Sequence, residues 1–249
     1  MWEVVLVVAA GAMLAGFVQG ISGFAFGMTA MSIWAWFLDP KMAAALAVFG
    51  AWTGQMIAAV SMRRQFGWTV LKPYLLGGVC GIPLGAYLLP YLNVPAFQAL
   101  LGSILLIWCP AMLFSRFLPR VSRRSRFMDA LVGAAGGAMG GLGGFTGVLP
   151  TLWCTLQAMP RDEQRSIIQN FNLTMLSVTM LVYGGSGKFS LAMLPYCGIV
   201  AVAVLVPVLL GGRIYVGLSE QQFRHVVLSL LTLSGVALLS ASIPVLWGR

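Results

Sequence analysis

Apolar runs of roughly the length one helix needs to cross a bilayer recur from one end of this chain to the other. A hydrocarbon core of about 30 Å takes some 20 apolar residues as helix. Of the 249 residues, 59% are apolar and only 8% are charged, whereas soluble domains carry about 25% charged residues. The runs are continuous rather than alternating, which excludes a membrane β-barrel. No polar stretch is long enough for a soluble domain. The chain reads as an all-α polytopic membrane protein. Its start, Met1-Trp2-Glu3-Val4, lacks the basic flank of a cleavable signal peptide, so the first run is expected to be a retained membrane segment.

Two apolar runs are interrupted in the same way. One interruption is Val18-Gln19-Gly20-Ile21-Ser22-Gly23-Phe24-Ala25-Phe26-Gly27, and the other is Gly140-Gly141-Leu142-Gly143-Gly144-Phe145-Thr146-Gly147. Glycine weakens a helix and lets backbone or ligand approach closely. Irregular backbone inside a membrane is tolerated only where protein buries it or it lines a cavity. A matched pair of interruptions in two halves of a chain is the best sequence pointer to a transporter's binding site.

The halves align beyond these motifs. Asp39-Pro40-Lys41 stands where Met159-Pro160-Arg161 stands, Pro73-Tyr74 matches Pro195-Tyr196, and Phe97 matches Phe223. This is an internal duplication, with a first membrane repeat over 1–115, a basic cytoplasmic linker over 116–127 and a second membrane repeat over 128–249. The pieces flanking each Gly motif read as short. At about 1.5 Å per residue, some 14 residues reach only about 21 Å. Each pair is therefore expected to form a Gly-tipped, broken or re-entrant helical hairpin, followed by three transmembrane helices. That count makes the two repeats inverted in topology.

Charge supports this layout. With the linker inside, only Lys41, Lys188 and Arg249 fall outside, leaving 12 of the 15 basic residues on the cytoplasmic side. The excess of basic residues on inner loops prefers that arrangement and accounts for the net charge of +9 without nucleic acid. The expected location is a bacterial inner membrane, with both termini outside. Whether the hairpin arms cross fully stays open.

The acidic residues Glu3, Asp39, Asp129, Asp162, Glu163 and Glu220 all read as helix ends or loops. Asp39-Pro40 reads as an N-cap with Pro in the first turn, Asp129 as an N-cap, and Ser219 with Gln222 as a capping box. With no carboxylate mid-span, a cation pump or carboxylate-based proton antiporter is disfavoured. The lone His225 reads as structural. Cys80, Cys109, Cys154 and Cys197 lie in apolar runs without paired spacing and read as packing residues. No hydrolase triad, zinc site, P-loop or dinucleotide fingerprint is legible, so neither catalysis nor a cofactor is expected.

What remains inside is neutral and hydrogen-bonding. The first motif offers Gln19, Ser22 and backbone N–H groups around Gly20 and Gly23. The second offers Thr146 and N–H groups at Gly143 and Gly144. Helices restarting after each tip aim positive dipole ends at the membrane centre, which favours an anion. A further polar set holds Gln169, Asn170, Asn172 and Thr174, with Asn170 and Thr174 on one face. Pore lining and interhelical bonding are equally open for it.

On Gly20-Ile21-Ser22-Gly23-Phe24 and Gly141-Leu142-Gly143-Gly144-Phe145, together with the duplicated layout and the basic linker, the chain resembles the sulfite exporter TauE/SafE family of permeases. The resemblance spans nearly the whole chain. It implies an inner-membrane transporter moving sulfite or small organosulfonates, usually outward. The expected site collects Gln19, Gly20, Ser22, Gly23, Phe24, Gly141, Gly143, Gly144, Phe145, Thr146, Asn170, Asn172 and Thr174. One repeat would rock against the other around it. The alternative is an anion channel using the same donors, or a permease for another small anion or sulfur compound. The partners expected are a small anionic solute and the lipid bilayer, with a homo-oligomer left open.

Overall fold

The computed structural model describes residues 2–61, 67–117, 119–121, 125–214 and 220–248. The described residues are helical, with no strand among them. In chain order the helices are α1 (Trp2–Ser22), α2 (Phe26–Trp34), α3 (Pro40–Ser61), α4 (Trp68–Leu88), α5 (Val94–Leu113), α6 (Arg126–Gly143), α7 (Val148–Leu156), α8 (Arg161–Gly185), α9 (Leu194–Ile214) and α10 (Glu220–Leu246). Six of them, α1, α3, α4, α5, α9 and α10, are long and apolar enough to cross a membrane. The chain is a multi-pass membrane protein.

Local signals explain the element ends. Asp39 accepts the N–H of Lys41 at 2.9 Å and starts α3 at Pro40. Asn93 accepts the N–H of Ala96 at 2.9 Å and starts α5. Both Gly-rich turns use a left-handed glycine that a side chain would strain, Gly23 at φ 84° and Gly144 at φ 78°. Each is followed by a helix of 9 residues, α2 and α7.

Three expectations need correction or lie out of reach. The hairpin arms are not all short: α1 has 21 residues and α6 has 18, so α1 reaches about 31 Å. Gly16 and Gly20 do not break α1, because both lie against the backbone of α9, and that packing offsets their weak helix propensity. Asp129 does not cap a helix. Ser125 is the N-cap of α6, and Asp129 is buried one turn in, accepting hydrogen bonds from Tyr74 (2.9 Å), Trp153 (2.7 Å) and Gln157 (3.3 Å). A carboxylate therefore does sit inside the helical body, satisfied by three neutral donors. The capping box at Ser219 and Gln222 lies outside the described residues.

Helix pairing follows a pattern. α1 packs along α9, α4 along α6 and α5 along α10, while α3 meets α8, α9 meets α3 and α4 meets α8. The pattern is unchanged when the first five helices are exchanged with the last five. Gly77, Gly81 and Gly85 face the backbone of Ala130, Ala134 and Ala138 in that order, so α4 and α6 run parallel. Gly16 and Gly20 face Val204 and Val208, so α1 and α9 also run parallel. In contrast, Gly102 faces Leu239 while Gly235 faces Leu105 and Leu106, so α5 and α10 run antiparallel. α3 and α8 are antiparallel too: Trp52 donates to Ser177 at 3.1 Å, whereas Ala58 shares a cleft with Arg165.

The two turns sit side by side within the helical body. A Cβ added at Gly27 would come within 2.9 Å of the Gly144 carbonyl oxygen. Gly23 is level with Gln55 of α3, whose amide donates to its carbonyl, and Gly144 is level with Ala47 and Val48. Both turns thus fall well inside the length of α3, separated by about 12 Å along its axis.

Candidate solute-binding site

A cleft of about 330 Å³ opens beside the first turn, within the size range of small-molecule sites. Its wall is built from the last turns of α1 (Gln19, Gly20 and the Gly23 that follows), α3 (Gly54, Gln55, Ala58) and α9 (Val208, Leu209, Gly212, Arg213) and from the start of α8 (Arg165, Gln169). The three helix C-termini and one N-terminus meet at the same end of the bundle. The lining offers three amides and two guanidinium groups, with no carboxylate among the described lining residues. Such a surface suits an anion electrostatically and by hydrogen bonding.

The amides are held in place by the backbone. Gln19 donates through Nε2 to the Ala51 carbonyl at 2.9 Å, and its Oε1 lies against Gly54 with no hydrogen-bond partner among the described residues. Gln55 donates to the Gly23 carbonyl. Gln169 lies over the same glycine, its Nε2 3.4 Å from where a Cβ would stand. The first turn is therefore both the floor of the cleft and a contact of two of its amides.

The residues expected from the sequence divide into groups. Gln19, Gly20 and Gly23 line the cleft. Ser22 faces its own turn: its hydroxyl accepts from the N–H groups of Phe24 (3.4 Å) and Ala25 (3.2 Å) and donates to the Val18 carbonyl at 2.8 Å. It thus takes up two of the backbone donors expected to meet a solute. Phe24 packs on Gly147 and edges onto the ring of Trp108, centroids 5.5 Å apart.

The second-motif residues do not line the cleft. Gly141 meets the backbone of α4, and its carbonyl accepts from Tyr183 at 2.7 Å. Gly143 is enclosed by Phe145 and Met31, and Gly144 by the α3 backbone. Thr146 and Asn172 are buried together, the hydroxyl donating to Asn172 Oδ1 at 2.8 Å. Asn172 Nδ2 has no acceptor among the described residues. Asn170 donates to Ser166 at 3.4 Å, and Thr174 donates to the Asn170 carbonyl at 2.9 Å.

Sequence reasoning passed over Arg165 and Arg213, treating them as loop charges, and read Gln55, with Thr53, as the first-half counterpart of the Gln169 set, open between pore lining and interhelical bonding. One signal was available. Arg165, Gln169 and Asn172 follow one another at helical spacings of four and three, which puts them on one face of α8.

A membrane-embedded body with a polar, cation-lined cleft that ends at a broken helix is the build of a solute transporter. The family model for the sulfite exporter TauE/SafE matches residues 8–238. The chain belongs to that family of membrane transporters. No match was found among curated proteins or among solved structures.

Proposed function

We propose that this protein is a secondary transporter that carries a small anion, sulfite or a small organosulfonate, out of the cell across the inner membrane. The observation that carries this reading is the cleft itself, where two guanidinium groups and three amides converge on the first Gly-tipped turn, with no carboxylate among the described lining residues. The solute would enter there and reach the second turn, where Gly143, Gly144, Thr146 and Asn172 stand beside the first.

In this reading the two halves are inverted repeats. The exchange symmetry of the helix pairing supports it, as does direction: corresponding helices α3 and α8, and α5 and α10, run oppositely. Two repeats related by an axis in the membrane plane have that relation. The described basic residues Lys72, Arg126, Arg165 and Arg213 belong to the helix ends on the cleft side, and Lys41 and Lys188 to the opposite side. By the excess of basic residues on inner loops the cleft faces the cytoplasm.

Close packing around Gly143 and Gly144 favours a carrier with alternating access over a channel with a continuous pore. The test is flux of sulfite from vesicles containing the purified protein. The expected result is saturable flux at carrier rates, abolished by Gly23→Leu and by Gly144→Leu in protein that still inserts. Unchanged flux in either variant would reject the reading, and flux orders of magnitude above a rocking carrier would favour the channel.

A further inference from the structure

The cleft stops at Gly23, yet a second polar group lies one helical turn deeper. Asn172 follows Gln169 by three residues on α8, so the two share a face. Asn172 is 1% exposed. Its Oδ1 is engaged by Thr146, which leaves Nδ2 as the end of the amide without an acceptor. A buried donor in that state is costly, so such groups call for an explanation.

Phe24 stands next to Gly23, a lining residue of the cleft, and next to Asn172. It follows Gly23 directly, and it meets Asn172 across Gly147. A Cβ at Gly147 would come 2.7 Å from Phe24 Cβ and 2.9 Å from Asn172 Nδ2. Gly147 has ordinary helical dihedrals, φ −80° and ψ −8°, so its backbone does not require glycine; the space does. The chain has kept that spot empty of side chain where Phe24 and the unanswered Asn172 donor come together.

We propose that Asn172 Nδ2 is an inner subsite for an oxygen of the transported anion, and that Phe24 is the gate separating it from the cytoplasmic cleft. This rests on the transport reading above and adds the order of events to it. The anion is met first at Arg165 and Gln169. It reaches Asn172 only when the Phe24 ring leaves Gly147. Phe24 is then a gate rather than a solute contact. The ligand class is a small oxyanion, because the group to be satisfied is an amide NH2 donor beside a hydroxyl.

The test uses the full-length protein in vesicles, with cysteine placed by Gln169→Cys or by Asn172→Cys. The probe is a small anionic thiosulfonate applied from the cleft side, and label at each introduced position is read by peptide mass spectrometry. The Gln169→Cys variant reports on the cleft, and the Asn172→Cys variant on the inner subsite. The expected result is rapid labelling at position 169 and slow labelling at position 172. Adding Phe24→Ala should raise the rate at position 172 by about tenfold or more, since reactivity follows access. Equal labelling at both positions with Phe24 present would overturn the gate. So would continued protection of position 172 after Phe24→Ala, provided position 169 still labels. The anion subsite is judged separately by flux: sulfite flux unchanged by Asn172→Leu in protein that still inserts would overturn it. Wild-type sulfite flux is measured alongside: its absence would sink the transport reading, while the labelling contrast still judges the gate. As a second variant, Gly147→Ala should lower flux several-fold. Gly198→Ala, at a glycine with open space around it, should leave flux unchanged. Equal flux in both would count against the subsite.

Discussion

The two Gly-tipped turns have the same backbone and opposite surroundings. Each ends a long helix with a left-handed glycine and begins a helix of 9 residues. The first is ringed by Gln19, Gln55 and Gln169 and opens to Arg165 and Arg213. The second is shut in by Met31, Ala47, Val48 and Phe145, with its polar groups Thr146 and Asn172 turned toward each other. The difference teaches that turn geometry is the common part, and that neighbouring helices decide whether a turn is a floor for solute or a sealed joint. α3 contributes to both. In its first half Ala43, Ala44, Ala45, Ala47 and Val48 are fully buried, with Ala47 and Val48 against the second turn, and its later residues Gly54, Gln55 and Ala58 line the cleft.

The largest effects should come from forcing a side chain onto either left-handed glycine. Gly23→Leu and Gly144→Leu are both expected to abolish sulfite flux. Gly23→Asn should retain a measurable part of it, because Asn tolerates that backbone region. If Gly23→Asn were as dead as Gly23→Leu, side-chain space rather than φ would be the constraint at the open turn.

Next comes Asp129, which ties the second hairpin to α4. Asp129→Leu leaves Tyr74, Trp153 and Gln157 without their shared acceptor, and should cost about 3 kcal/mol or more as several buried donors go unsatisfied. A lowered melting temperature in detergent would register this. No change would mean that water replaces the carboxylate.

Asn172→Leu should separate stability from function. The change removes an unsatisfied buried donor but also the acceptor of the buried Thr146 hydroxyl, so the two effects offset and thermal stability should move by no more than about 1 kcal/mol, while flux is lost. Loss of both would make Asn172 a structural residue of the closed turn. On the open side, Arg213→Gln should raise the half-saturating sulfite concentration several-fold with little effect on stability, since Arg213 is exposed. The smallest effect is expected at Trp52→Phe, where one part-buried bond to Ser177 is lost, worth about 1 kcal/mol.

Much of the fold was legible because membrane segments are long and their punctuation is chemical. Asp39-Pro40 and Asn93 mark helix starts where the structure has them, and both Gly motifs are turns at the expected glycines. Arm length was misread because glycine in α1 looked like a break. Whether a helical glycine is a weakness or a contact depends on the partner helix, here α9 in the far half of the chain. Asp129 was misread for a similar reason. Its donors come from residues 55, 24 and 28 positions distant, and hydropathy cannot tell a capping carboxylate from one held by neighbours on other helices. Arg165 and Arg213 looked like solvated loop charges until two helix ends were brought to one cleft.

The glycine seams have a mechanical corollary. Along α4 and α6, Gly77, Gly81, Gly85, Gly133, Gly137 and Gly141 bring the two backbones into contact, and α1 meets α9 in the same manner through Gly16, Gly20 and Gly211. Surfaces interlocked this closely have no side-chain cushion to slide on. The linker therefore does not mark the line along which the protein can bend. Whatever swings does so as a composite, each piece welded from one helix of the first half and one of the second.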